Sequence, residues 1–183
     1  LIDYNRPVWD DSLLPAGTLR EPVRSIKRAK IVIISKAPDK LKDIDRRLIF
    51  KKIKLNPLQY LFYTHLKSGQ IKLVFDNLEK SENNQLFHEK PEILLVSGIA
   101  NPRSVKRFAR SVSTKITELH FMDHHEYTEK TLRLISREFK KLKPNNRIIL
   151  TTEKDAAKLR DITHLDNEIV KKLYYIPVFI DFL

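Results

Sequence analysis

The sequence predicts an α/β protein: a parallel-sheet remnant in residues 1–57, a second α/β lobe over 92–183, and a two-stranded β-ribbon with linker at 58–91 joining them. Three observations carry this reading. Lys30–Lys36 (KIVIISK) and Glu92–Ser97 (EILLVS) are continuous apolar runs without alternation, the pattern of strands buried on both faces of a parallel sheet. From Pro91 onward such runs alternate with amphipathic helical patterns, as βαβ units do. Between the two regions the charge balance changes and turn-forming residues collect.

Each element follows from local pattern. Residues 1–25 hold three of the nine prolines and no clear periodicity, so an ordered loop is expected there. After the first strand, Pro38 and Asp39 open a helix with Leu41, Ile44 and Leu48 inward at i, i+3, i+7, closed by Asn56-Pro57. Gln59–Leu66 and Ile71–Phe75 flank Lys67-Ser68-Gly69-Gln70 and read as a hairpin or ribbon; Asn77–Lys90 reads as a linker. In the second lobe, Asn101-Pro102 suggests an N-cap with proline at the first helical position, followed by Val105, Phe108, Ala109 and Val112 on one face. Ile116–Phe121 and Arg147–Leu150 read as strands, Thr128–Lys143 as a helix with Leu132, Ile135 and Phe139 inward. Thr152 and Asp155 form a capping-box pattern opening a short helix, and Tyr174–Phe182 reads as a last strand.

Composition narrows the classes. No apolar run approaches the ~18–20 residues of a membrane span. The chain has no cysteine, which excludes disulfides and thiolate metal sites. The formal charge is +12; residues 1–57 carry 14 basic against 7 acidic residues and 92–183 carry 17 against 12. Such a field favours an anionic partner: nucleic acid, an anionic membrane surface or a phosphorylated ligand. Only Gly17, Gly69 and Gly98 are glycines, so neither GxxxxGK[ST] nor GxGxxG is present.

Four segments could carry chemistry. Leu13–Pro22 (LLPAGTLREP) holds Arg20 and Glu21 between prolines; it is either a loop braced by a salt bridge or one that sets Arg20 on an anion and Glu21 near a metal or hydroxyl. Phe121–Tyr127 (FMDHHEY) follows a strand, and ligands of open α/β sheets bind beyond the carboxyl ends of strands. Asp123-His124-His125 there could be a proton shuttle with a carboxylate-oriented imidazole, a metal site, or plain surface histidines. Ser97–Pro102 (SGIANP) is a tight βα turn or, with Asn101 at a helix start, an anion site. In Thr151–Leu159 (TTEKDAAKL), capping accounts for Thr152 and Asp155 and leaves Glu153 and Lys154 as site candidates.

Taken together and in this order, Asp3, Pro7, Trp9 and Asp11 with LLPAG-x-LREP, the RAKIVIISK strand, SGIANP, F-x-DHH-x-Y and TTEKDAAKL resemble the tetraacyldisaccharide 4′-kinase family over essentially the whole chain; residues 58–91 are the divergent part. The resemblance implies a P-loop kinase of Gram-negative bacteria, in two lobes joined by a β-ribbon hinge. It implies transfer of phosphate from ATP, with Mg²⁺, to the 4′-hydroxyl of tetraacyldisaccharide 1-phosphate in lipid A biosynthesis, at the cytoplasmic face of the inner membrane. Family phosphate-loop and metal-ligand segments would then lie upstream of Leu1, so that residues 1–183 alone are expected to be inactive.

The same resemblance implies roles by position: His124 as the catalytic histidine of the second lobe with Asp123 orienting it; Arg20, Glu21 and Lys36 near nucleotide or metal; His125, Asn101 and Lys154 near the substrate. No residue of the chain is assigned as a metal ligand, and no nucleic acid is expected as a partner. Asp39 lies one residue too far from Lys36 for the NKxD spacing that reads guanine. A basic surface suits an anionic leaflet, expected at Arg24, Lys27, Arg28, Arg103, Lys106, Arg107 and Arg110. The rival from another class is a basic α/β nucleic-acid-binding module, which explains the charge but not the DHH or LREP segments.

Overall fold

The computed structural model describes residues 1–75 and 90–183. The chain divides into two compact units, one of Leu1–Lys67 with Phe179–Leu183 and one of Ser68–Val178.

The first unit is built on strands β1 (Ile2–Asp3), β2 (Ile31–Ser35), β3 (Tyr60–Ser68) and β9 (Val178–Phe182), side by side in that order. β1 and β3 run parallel to β2 on either side, with Ile2 opposite Ile34 and Ile34 opposite Tyr63. Val32 and Ile34 are buried and pack with Ile2, Leu41 and Tyr63, but Ile31 is 55% exposed and Ile33 only half-buried, so this strand is covered on one face and not on both as expected. The segment before β2 contains β1 and two 3₁₀ turns, Val8–Asp10 and Val23–Arg28, more structure than a proline-rich loop suggests.

Helix α1 (Asp43–Ile53) starts later than expected and turns differently. Its core contacts are Ile49 and Ile53, one turn apart, while Ile44 and Leu48 face outward at 57% and 53% exposure. Leu41 is buried, but ahead of the helix rather than on it. The i, i+3, i+7 pattern was therefore a mixture of two environments. Lys54, in the left-handed region, ends the helix, and its N–H donates to the Phe50 carbonyl.

The second unit is a three-layer α/β/α sandwich. Strands β4 (Lys72–Leu73), β5 (Glu92–Ser97), β6 (Ile116–His120), β7 (Arg147–Thr152) and β8 (Leu173–Ile176) lie in the order β4-β8-β7-β5-β6. All neighbours are parallel except β4, which runs antiparallel to β8 at the edge. Successive residues of β5 serve opposite layers. Leu94 and Val96 pack with Ile135 and Phe139 of α3 (Glu129–Lys140), while Ile93 and Leu95 pack with Val105 and Ala109 of α2 (Arg103–Val112). Helix α4 (Glu153–Arg160) follows β7, and α5 (Asn167–Lys172), an element not expected from the sequence, precedes β8. Each fully buried Leu or Ile here contributes about 1.5–3 kcal/mol, so the sheet centre is where the unit's stability resides.

Two expectations change. Gln59–Leu66 and Ile71–Phe75 do not pair with each other: β3 lies between β2 and β9, and β4 pairs with β8. The apolar length of β3 suits a strand of the first sheet, and Gly69, whose N–H donates to the Pro177 carbonyl, stands beside the return segment rather than in a hairpin turn. Tyr174–Phe182 is likewise two strands, broken at Pro177, which cannot donate to a ladder. The linker expected over 77–90 lies outside the described residues apart from Lys90.

Candidate active site

Chain order sets the site. From β5 the chain crosses to β6 on one side; β7 then falls on the other side of β5 and leads on to β8. Loops leaving β5 and β7 therefore diverge, and the crevice between their carboxyl ends is a topological switch point. Three of the four motif segments meet there.

Gly98, just after β5, is the meeting point. Its N–H donates to Asp155 Oδ2 at 3.0 Å across the crevice. Thr152 caps α4: its Oγ1 accepts from the Asp155 N–H (3.1 Å) and donates to Asp155 Oδ2 (2.6 Å). Asp155 is fully buried in the first turn of α4, where the helix dipole favours an anion. A side chain at Gly98 would bring its Cβ to 3.0 Å from Asp155 Oδ1 and 3.2 Å from His125 Cβ. The glycine is required by that close approach, not by its backbone angles.

The segment after β6 folds over this point. Its backbone is anchored where the Phe121 N–H donates to the Ser97 carbonyl (2.8 Å), and Ser97 Oγ lies 3.1 Å from His120 Nδ1. His125 stacks on Phe121 with centroids 4.3 Å apart, meets Tyr127 edge-on at 5.3 Å, and places Nε2 3.1 Å from Thr131 Oγ1. Its carbonyl accepts from Lys158 Nζ at 2.8 Å. His125 is thus a packing residue of the segment. The Tyr127 hydroxyl is buried beside the Asp155 carboxylate, and burial first, then that charge, pushes its pKa well above the ordinary phenol value.

His124 behaves in the opposite way. It adopts a positive φ of 61° and leaves its side chain 79% exposed. That conformation is uncommon for a residue with a Cβ and is maintained by the Asp123 carboxylate, whose Oδ1 accepts the His124 N–H at 3.0 Å. Asp123 lies between two partners: Lys154 Nζ 3.1 Å from Oδ1, and His124 Nε2 3.6 Å from Oδ2, within ion-pair reach of a protonated ring. Lys154 first, then the His124 N–H, hold the Asp123 carboxyl below its usual range despite some desolvation. The two adjacent histidines thus have different surroundings, His125 packed and His124 exposed, with a turn at Asp123-His124 between them.

Asn101 is exposed, with Oδ1 accepting the Arg103 N–H at 3.2 Å; the helix begins one residue later than expected, Pro102 being its cap. Among the described residues no group of three His, Asp or Glu side chains could hold a metal ion.

The remaining predicted residues belong to the first unit. Arg20 is exposed and has no polar partner among the described residues, whereas Glu21 pairs with Arg28, not with its neighbour. The loop before them is braced by Asp11, which accepts from the N–H groups of Ser12 (2.7 Å) and Thr18 (3.0 Å) and from the Thr18 hydroxyl. Gly17 is pressed against the Ser12 backbone, leaving no space for a side chain. Lys36, at φ 57°, holds Asp3 Oδ2 at 2.6 Å; burial would raise the Asp3 carboxyl, but Lys36 and the Asn5 N–H bring it below its usual range.

Sequence reasoning treated Asp155 as a cap alone, and its second role depends on Gly98, 57 residues away. The signal was weak but present: a glycine closing one strand and a Thr-x-x-Asp closing another have mutual meaning only when those strands are neighbours.

The second unit is thus a doubly wound α/β sandwich with an exposed histidine and a buried carboxylate at its switch point. The family model of tetraacyldisaccharide-1-P 4′-kinase matches residues 1–182. The chain is 36% identical over its whole length to a tetraacyldisaccharide 4′-kinase of Bacteroides fragilis, covering 49% of that protein. It is 37% identical to the one of Bacteroides thetaiotaomicron, covering 50%. A crystal structure of the "apo" form of LpxK from Aquifex aeolicus in complex with ATP matches all of this chain and 47% of its own, at a TM-score of 0.59 and 17% identity, a likeness of fold. This chain belongs to the tetraacyldisaccharide-1-P 4′-kinase family, and it spans about half the length of the curated relatives it matches.

Proposed function

We propose that this chain serves an ATP-dependent kinase that phosphorylates the 4′-hydroxyl of tetraacyldisaccharide 1-phosphate, and that His124 is its acid–base group. The observation that carries the proposal is the geometry of His124: exposed at the switch point, on a strained backbone, beside an anionic Asp123 that Lys154 fixes. Family membership supplies the reaction class.

Phosphoryl transfer asks the protein mainly to position a hydroxyl and to handle its proton while charge shifts onto the phosphoryl oxygens. Asp123, kept anionic by Lys154, stands beside the imidazole and orients it. His124 accepts the proton of the 4′-hydroxyl as that oxygen attacks the γ-phosphorus of ATP; the bond from the γ-phosphorus to the bridging oxygen breaks, ADP leaves, and solvent later takes the proton from His124. Lys154 and Asn101 are assigned in this reading to the vicinity of the glycolipid substrate, where a cation and an amide suit its phosphate and hydroxyl groups. His125 supports the segment through its stacking.

Arg20, unpaired, suits a nucleotide phosphate; Glu21 and Lys36 would have to exchange Arg28 and Asp3 for ligand. These residues do not by themselves fit a Mg²⁺ site, since no metal-holding group exists among the described residues and the sequence has no glycine-rich phosphate loop. In this reading residues 1–57 close the nucleotide lobe, 58–91 form the hinge and 92–183 the substrate lobe; the change of unit at Lys67/Ser68 supports the position of the hinge, whereas Phe179–Leu183 return to the first unit. Work at the cytoplasmic face of the inner membrane follows from the lipid substrate, and no helix among the described residues is long and apolar enough to cross a membrane.

The test is phosphate transfer from ATP to tetraacyldisaccharide 1-phosphate by the full-length protein. His124→Ala is expected to lower turnover at least ~100-fold, the scale of a lost acid–base group. Wild-type turnover in that variant, with the fold intact by circular dichroism, refutes the assignment.

A further inference from the structure

Helix α4 makes more contacts to the DHH segment than capping requires. Lys154 and Lys158 lie four residues apart on one face of the helix, with Asp155 beside them. Each reaches the segment at a different place. Lys154 Nζ meets Asp123 Oδ1 at 3.1 Å, Asp155 lies beside the buried Tyr127 hydroxyl, and Lys158 Nζ donates to the His125 carbonyl at 2.8 Å. This last contact joins residues 33 apart in the chain. A lysine in a last turn ordinarily meets the final carbonyls of its own helix; Lys158 is half-buried and donates instead to the neighbouring segment.

His124 lies between these holding points. The His125 N–H donates to the Met122 carbonyl at 3.2 Å, closing a turn in which His124 takes the third position at φ 61°. Turns with a positive φ there usually carry glycine or asparagine, so a histidine keeps the position only where its neighbours are fixed. Lys154 fixes the residue before it through the Asp123 carboxylate, and Lys158 fixes the residue after it through the His125 carbonyl. A hydrogen bond from an ammonium is roughly twice as strong as one between neutral groups, and here it acts on the peptide itself. With its side chain exposed, His124 takes its position mainly from that backbone.

We infer that α4 is the template on which His124 is aimed, and that Lys158 is a positioning residue for the phosphoryl-transfer step, an inference resting on the reading of His124 as the acid–base group. Lys158 meets the His125 carbonyl rather than the His124 imidazole, so it acts only by holding the peptide that follows His124. Without that contact the turn relaxes, and the imidazole spends less time within reach of the 4′-hydroxyl proton. Binding of ATP and glycolipid does not use the contact, so the loss falls on turnover.

The experiment compares the full-length wild type with Lys158→Met, which keeps the apolar stem and removes the donor, alone and combined with His124→Ala. Lys158→Met is expected to lower kcat roughly 10–100-fold, the scale of a small misplacement of a catalytic group, with KM for ATP and for the glycolipid within about twofold. In the His124→Ala background the same change should cost no more than about twofold, because a residue that acts through His124 has nothing left to position. Lys172→Met removes a lysine–carbonyl contact of the same kind, to Pro144 at 2.9 Å, and should leave kcat unchanged. Amide hydrogen exchange read by mass spectrometry supplies a structural measurement: in Lys158→Met, residues 122–127 should exchange faster while β5 and β7 keep wild-type protection. Wild-type kcat, an equal fold loss in both backgrounds, a raised KM with unchanged kcat, wild-type exchange over 122–127, or lost protection throughout β5 and β7 overturns the inference. Wild-type turnover by His124→Ala alone defeats the acid–base reading itself, and with it the aim assigned to α4; the exchange measurement tells that failure from a segment that Lys158 never held.

Discussion

Removing the carboxylate of Asp155 should loosen the junction between the β5 and β7 loops, and its cost follows from the contacts. Asp155→Ala leaves two buried donors without their acceptor, the Gly98 N–H and the Thr152 hydroxyl. An unsatisfied buried donor costs about 1–3 kcal/mol. The hydroxyl can rotate toward another acceptor and falls at the low end, whereas the Gly98 N–H is fixed by its strand. A loss of about 3 kcal/mol is expected, large against the ~5–15 kcal/mol of a whole domain. Asp155→Asn keeps an oxygen for both donors and sets an amide toward the Tyr127 hydroxyl, so a loss within ~1 kcal/mol is expected. Urea unfolding followed by far-ultraviolet circular dichroism measures both; with a slope of about 1–3 kcal/mol per molar urea, the Ala midpoint should fall by roughly 1–3 M. Equal losses in the Ala and Asn variants, or an Ala loss below about 0.5 kcal/mol, would refute the hydrogen-bond account.

Arg147 is buried, donates from Nη1 to the Phe139 and Leu142 carbonyls at 3.0 Å each, pairs with Glu168 at 2.6 Å and lies over the Phe139 ring. Its replacement by Ala should cost about 3–5 kcal/mol in thermal or urea unfolding, and Lys should not restore it, lacking the planar fork. Gly98→Ala should cost about 1–3 kcal/mol, since the new Cβ must displace Asp155 or His125, and should broaden the NMR signals of residues 121–127. Lys154→Ala should raise the Asp123 pKa toward the ordinary ~3.9 of an aspartate, read by carbon-13 NMR of the carboxyl. The sign follows from the lowered folded value: whatever Asp123 contributes is present above the normal carboxylate range and lost as pH falls through its depressed pKa, so the variant should lose that contribution at a higher pH.

The second unit was legible because its signals are local. EILLVS needs both faces covered, and Leu132, Ile135 and Phe139 share a helix face whatever the helix packs against; the structure buries these patterns in the sheet and in α3. Thr152 as a cap is equally local. Where partners are distant in sequence, the patterns gave only part of the answer. Nothing in Gln59–Leu66 states that its neighbours are Ile31–Ile34 and β9 rather than the next apolar run, because pairing is a property of two segments. Ile44 and Leu48 look like core residues at helical spacing, and only the packing of Ile49 and Ile53 shows that they lie on the other side.

The candidate site divides in the same way. Sequence alone determined that the DHH segment follows a strand and that these residues include no glycine-rich phosphate loop, since both depend on residue type and order. Tertiary structure decided which histidine is free: His125 is committed to Phe121, Tyr127 and Thr131, and His124 to solvent. It also decided that Asp123 meets Lys154 across 31 residues and that Asp155 meets Gly98 across 57. The physical reason is strand order. A switch point exists only once β7 has settled beside β5 rather than beside β6, and until then these four residues have no common place.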